Sequence, residues 1–394
     1  MSPRLAVRTL RRLMPLLVAV GLAGCSIFGD DDEVSEPPTP LAEFTPEVKL
    51  KRVVSTKVGG DGEFLRFALR PAGDGTRVFV AGANGTVEAF EANNHKRAWQ
   101  RKLKAQLTAG PGVGDGRLVV AERNGVLIAM DVATGETLWE RDIKAEVLAP
   151  PVLGAERVFV RTVDGRLIAL DGKSGEQLWF VEQPVPALSQ RGIGAPVIVG
   201  DVVVAGFDNG RIVAARVISG EIDWEIPLGI PTGRSDIERM VDADGMIAVA
   251  GKDLYITGFR ARTAAVAAES GQALWARELS SYAGLGVDWA NVYLSTDESQ
   301  LQALGRSNGA LEWSSDAFLR RRITAPAVLG EYVVVGDFEG YIHLINARTG
   351  ELAGRERVDK SAIVMQPYVS NSTLYVQSEK GVVAGYRLQS DASR

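Results

Sequence analysis

Beyond residue 46 the chain runs in short alternations of apolar and polar residues, each cut by a turn pair. Val87 and Ala89 follow Asn84-Gly85, Leu127 and Ala129 follow Asn124-Gly125, and Leu167 and Ala169 follow Asp164-Gly165. Alternation with a period of two puts one face of a strand on a core, and Asn-Gly or Asp-Gly between such runs signals a hairpin because both residues tolerate positive φ. Asn209-Gly210, Glu339-Gly340 and Lys380-Gly381 repeat the pattern, while Ala261 and Ser299 replace the glycine in two further copies. The pattern predicts an all-β chain.

A second signal runs in phase with the first. Fourteen residues after each turn position comes a fixed site, and at 99, 139, 179, 224, 275 and 313 it is tryptophan. The fullest copies read Gly135-Glu136-Thr137-Leu138-Trp139 and Gly175-Glu176-Gln177-Leu178-Trp179, and Gly350-Glu351-Leu352-Ala353-Gly354 has glycine in the tryptophan's place. Each unit holds four short strands, and about forty residues with four strands per unit is the arithmetic of a β-propeller. Counting the turn at Gly381, the chain has eight units, so the expected fold is an eight-bladed β-propeller of four-stranded blades over residues 47–394. The eighth tryptophan site would be residue 395, which leaves the last blade short of an outer strand. Glu47 to Lys57, left over at the other end, is predicted to close the ring and so remove its open edges. One tryptophan per unit in a constant frame reads as packing between blades, not as ligand stacking; Trp289 falls outside the frame.

The spacing from one tryptophan site to the next turn is 26, 26, 31, 37, 24, 27 and 27 residues, so two adjacent units carry the excess. Both insertions fall between the outer strand of one blade and the inner strand of the next, which puts them side by side on one face. Insertions on one face of a repeat protein mark a binding surface, whereas the plainer reading is two long surface loops. The first, Gln183 to Gly192, combines prolines, an apolar residue and Arg191. The second, Gly229 to Gly245, carries Asp236, Glu238, Arg239, Asp242 and Asp244.

The N-terminus adds a compartment. Arg4, Arg8, Arg11 and Arg12 precede an apolar run from Leu13 to Ala23 that ends in Leu22-Ala23-Gly24-Cys25. Residues 1–24 read as a secretory leader, too short for the ~20 apolar residues of a membrane span. Leu-Ala-Gly-Cys resembles the lipobox of bacterial lipoproteins, which makes Cys25, the chain's one cysteine, the expected lipidation site. Ser26 follows, and by the same resemblance the destination is the outer membrane. Losing the leader moves the formal charge from −5 to −9, and an acidic body disfavours nucleic acid as a partner. Residues 25–46, with Asp30-Asp31-Asp32-Glu33 and Pro37, Pro38 and Pro40, are too polar to pack and read as a flexible tether.

Candidate chemistry changes little. His95 and His343 lie in different units with no cysteine near either, so a metal site lacking three or four converging ligands is not expected. No nucleophile elbow and no phosphate-binding glycine pattern stands in context. The expectation is a non-enzymatic protein with no catalytic residues, cofactor or metal.

From about residue 47 to 388 the units resemble the quinoprotein-type propeller repeat. One branch of that resemblance, the dehydrogenases that hold pyrroloquinoline quinone with calcium, implies a periplasmic oxidoreductase and is kept as the alternative. The other is the BamB family, lipoprotein subunits of the outer-membrane β-barrel assembly machinery. Leu188-Ser189-Gln190-Arg191-Gly192-Ile193-Gly194-Ala195-Pro196 and Ile237-Glu238-Arg239-Met240-Val241-Asp242-Ala243-Asp244 resemble its two conserved loop stretches. The resemblance implies that Leu188, Arg191, Asp242 and Asp244 contact the periplasmic domains of the central barrel subunit. It also implies attachment to the periplasmic side of the outer membrane, with unfolded outer-membrane proteins as further partners.

Overall fold

The turn pairs fall where the alternation put them. Gly85, Gly125, Gly165, Gly210, Gly340 and Gly381 each turn the chain between the second and third strands of a blade, with φ between 73° and 90°. Ser299, in the glycine's place, still adopts φ 67°. The computed structural model describes residues 36–59, 68–189, 192–243 and 245–389. Among them every regular element is a strand, and no helix is long and apolar enough to cross a membrane.

The strands form eight sheets, one per blade. Blade 1 comprises 72–73, 77–81, 86–91 and 97–102, and blade 3 comprises 152–154, 157–161, 166–171 and 177–182. Blade 4 comprises 197–199, 202–206, 211–216 and 222–227, and blade 5 comprises 248–250, 253–256, 263–267 and 273–277. Blades 6 and 7 follow at 285–315 and 327–357. Blade 2, spanning 107–142, adds a short fifth strand, Ala68–Leu69, parallel to its inner strand. Blade 8 is built from 368–370, 373–377 and Val382–Leu388, and its outer strand is Leu50–Lys57 from the N-terminal end, paired antiparallel with Leu50 opposite Leu388. The ring is thus closed by the N-terminal strand, as the leftover segment implied.

The tryptophans are the joints between blades. Trp99 Nε1 donates to Val132 O in the next blade at 3.0 Å, and Trp139 to Gly172 O, Trp179 to Val217 O, Trp224 to Ala268 O, Trp275 to Arg306 O and Trp313 to Ala347 O do the same. The glycine of the next Gly-Glu-x-x-Trp copy lies under each indole. A Cβ on Gly175 would sit 2.7 Å from the Trp139 ring, and φ there is 70°. Glycine is required at that spot for both reasons.

Two joints differ because the N-terminal chain passes through them. Gly354 replaces the tryptophan in blade 7, and Val48 lies where a side chain there would go, with Glu47 and Val48 amides both donating to Ala353 O. In blade 8 the indole slot is taken by Val54, opposite Gly385. With no indole to cover, the following glycine site becomes His95, at φ 60°, whose ring packs edge-on to Tyr375.

The expected tether is shorter than composition suggested. Thr39 N donates to Leu319 O at 3.0 Å, Thr39 and Ala42 carbonyls accept from Arg321 and Arg355, and Phe44 lies under the Arg355 guanidinium. Low hydrophobicity is overcome because the main chain itself is the ligand. Residues 39–48 therefore run as a strap down the outer edge of blade 7.

Candidate functional site

In an antiparallel four-stranded blade the second-to-third turns and the connections to the next blade lie at the same end. The two long connections, 183–196 and 228–247, therefore share a face with the glycine turns. The Asn209-Gly210 turn of blade 4 is wedged between their roots. Asn209 Nδ2 donates to Gln183 Oε1 at 2.9 Å on one side, and a Cβ on Gly210 would lie 3.0 Å from Val241 on the other. Beneath them, buried Arg161 is ion-paired with Asp208 and lies over the Phe207 ring. This ion pair lies buried at the foot of both loops.

The second loop is shaped by its own charges. Glu238 accepts the Arg234 and Ser235 amides at 2.6 and 3.2 Å, which holds its carboxyl below the usual range, and its amide donates back to Ser235 Oγ. Arg260 props the turn by donating to Ile237 O at 2.7 Å.

Of the residues singled out by sequence, Leu188 is 45% exposed on the first loop. Asp242 is only 1% exposed: its Oδ1 accepts the Phe259 amide at 3.2 Å while its own amide donates to Phe259 O. It fastens the second loop to blade 5 and offers no carboxylate to solvent. Arg191, Asp244 and Cys25 lie outside the described residues. Three apolar side chains join Leu188 on the same face: Val185 on the first loop, and Ile230 and Ile237, 67% and 64% exposed, on the second. Their signal in sequence was an isolated large apolar residue in an otherwise proline-rich or charged insertion. Exposed apolar groups ringed by charge form the pattern of a protein interface.

The two histidines serve packing. His343 is buried with Nε2 3.0 Å from Asp337, which also binds Arg321 at 2.6 Å. Burial pushes the imidazole below its usual range; burial also pushes Asp337 upward, but hydrogen bonds from His343 and Arg321 outweigh it and hold that carboxyl low. No cluster of three potential metal ligands occurs among the described residues. A cavity in the ring's axial channel is lined by Arg70 and, among the described residues, otherwise apolar side chains, and a second that shares Met246 with it is lined by Arg322 and Glu379.

The chain matches the family model described as outer membrane protein assembly factor BamB over residues 83–315. It is 46% identical over 375 residues to the outer membrane protein assembly factor BamB of Pseudomonas aeruginosa, covering 95% of this chain and 98% of the relative. The crystal structure of BamB from Moraxella catarrhalis superposes with a TM-score of 0.76 at 29% identity, covering 85% of this chain and all of that one. Quinohemoprotein alcohol dehydrogenase from Comamonas testosteroni superposes at 0.68 with 13% identity over 86% of this chain and 76% of its own, a likeness of fold alone.

Proposed function

The chain belongs to the outer membrane protein assembly factor BamB family, and from that premise we propose that it is a non-enzymatic scaffold lipoprotein of the β-barrel assembly machinery. Cys25, acylated, holds it on the periplasmic side of the outer membrane. The long-loop face docks on the periplasmic domains of the central barrel subunit, and the complex assists folding and insertion of outer-membrane proteins. The observation that carries this reading is the set of exposed apolar side chains, Val185, Leu188, Ile230 and Ile237, on one face.

The four residues named from sequence take different parts. Leu188 contributes buried apolar area, Arg191 and Asp244 supply charge to the partner, and Asp242 acts from within by fixing the loop to Phe259. Burying a Leu or Ile side chain is worth about 1.5–3 kcal/mol, so losing two should cut affinity at least tenfold. The test is co-purification of the central barrel subunit with the Leu188→Asp, Ile237→Asp double variant, accompanied by thermal unfolding to show an intact propeller. Capture at the wild-type level would sink the docking face. Photocrosslinkers at positions 191 and 244 are expected to give adducts with the barrel subunit.

A further inference from the structure

One cation sits in the axial channel among apolar side chains. Arg70 follows the short strand Ala68–Leu69, and its amide donates to Gly110 O at 3.2 Å. Its guanidinium reaches inward, with Nη1 3.3 Å from Gln366 Oε1 and 3.9 Å from the Met246 sulfur. Gln366 is fixed in turn by donating to Leu285 O and Pro326 O at 3.1 and 2.7 Å. Beside this bridge lies a cavity of about 400 Å³, lined by Arg70 with Leu153, Pro196, Val197, Met246 and Val249.

Among the described residues, no aspartate or glutamate is in that wall and no ion pair to Arg70 occurs. A guanidinium carries five N–H donors, and a 3.3 Å contact and a sulfur contact occupy little of that capacity. None of its nitrogens is among the buried atoms left without a partner, and Arg70 is half-buried and lines the cavity, so its spare donors reach accessible space. Burial lowers the Arg70 pKa from its ordinary value, with Tyr368 opposing it.

We infer that the channel is a binding site for a small amphiphilic carboxylate, its carboxylate on the Arg70 fork and its apolar body along Leu153, Val197 and Val249. Cavities of about 300–1,000 Å³ with apolar walls and a few placed polar groups are the usual form of a small-molecule site. A carboxylate matches the guanidinium's planar fork and its single charge; a phosphate dianion would remain half neutralised. The competing view is that Arg70 only ties the ring together through Gln366. This site does not depend on the docking face.

The probe is 4-phenylbutanoate, titrated calorimetrically into the full mature chain carrying Cys25→Ser so that no detergent competes. Its alcohol, 4-phenylbutan-1-ol, and inorganic phosphate are the comparators. The acid is expected to bind saturably and at least tenfold more tightly than the alcohol, with phosphate failing to displace it. Arg70→Gln should bring the acid down to the level of the alcohol, and Val249→Trp, which leaves Arg70 in place but fills the cavity, should remove both. The Leu188→Asp, Ile237→Asp variant should bind as the wild type does. Equal affinity for acid and alcohol, displacement by phosphate, no saturable binding, or undiminished binding by either channel variant would overturn the assignment. If Arg70→Gln does not fold, Val249→Trp decides alone.

Discussion

Each joint between blades rests on a residue pair, an indole and the glycine beneath it. Alanine at Gly175 meets both a positive φ and the Trp139 ring at 2.7 Å, whereas alanine at Gly200, φ 61°, meets nothing within 4 Å. Strained backbone alone costs about 1 kcal/mol, and forced overlap in a packed site adds about 1–3 kcal/mol. Gly175→Ala is therefore expected to lower the urea midpoint clearly more than Gly200→Ala does. The His95 joint gives the converse. Val54→Trp should destabilise the protein because His95 occupies the space an indole needs, and adding His95→Gly should recover most of the loss. Additive effects in that double-mutant cycle would show that the two sites do not exchange volume. Both histidines contribute to the pH dependence, and His343 is the more deeply buried. Its pKa in the folded protein is depressed, so the unfolded chain takes up the proton more readily, and stability should fall as pH drops below about 6.5, the ordinary histidine value. Asp337, also depressed, adds a further loss below its ordinary 3.8. Urea titrations at stepped pH should show the first loss in the wild type and a smaller one, left by His95, in His343→Gln.

Among elements, the blades were legible in sequence and the strap was not. A blade announces itself because its turn glycines and its tryptophan are demanded by local geometry, φ at Gly125 or the indole under Gly135, so they recur in phase. The strap has no such demand. Pro38, Pro40 and Glu43 suggest an unpacked chain, and its order comes from main-chain carbonyls at Thr39 and Ala42 that no composition reveals. Asp242 was illegible in the same way: an acid in a charged loop reads as outward-facing, and the Phe259 amide from the neighbouring turn binds it inside. Arg355→Ala removes the bond to Ala42 and the stacking on Phe44. Hydrogen exchange is expected to quicken at residues 39–46 in that variant while the blade 3 and blade 4 strands keep wild-type protection. Uniform quickening would mean that the strap is integral to the ring.

For the whole molecule, the faces are set by strand count. The second-to-third turns, the long loops and the start of the strap at Thr39 share one end, while Trp289, 87% exposed in the first turn of blade 6, lies at the other. Trp289 thus belongs neither to a joint nor to the long-loop face, and nothing in the fold explains it. Under the proposed lipid anchoring, the strap also limits how far the propeller can roam. With the anchor at Cys25, the closing strand begins 25 positions on, at Leu50, whereas the strap already brings the chain onto the propeller by Thr39, 14 positions from Cys25. At a limit of about 3.3–3.6 Å per residue, the leash shortens from roughly 85 Å to roughly 50 Å. The volume swept from a fixed point in the membrane shrinks with the cube of that length, about sixfold. If the chain is anchored and docks as proposed, ten residues laid against one blade thereby raise the odds that the long-loop face meets a partner in the same membrane, without adding a single contact to the interface.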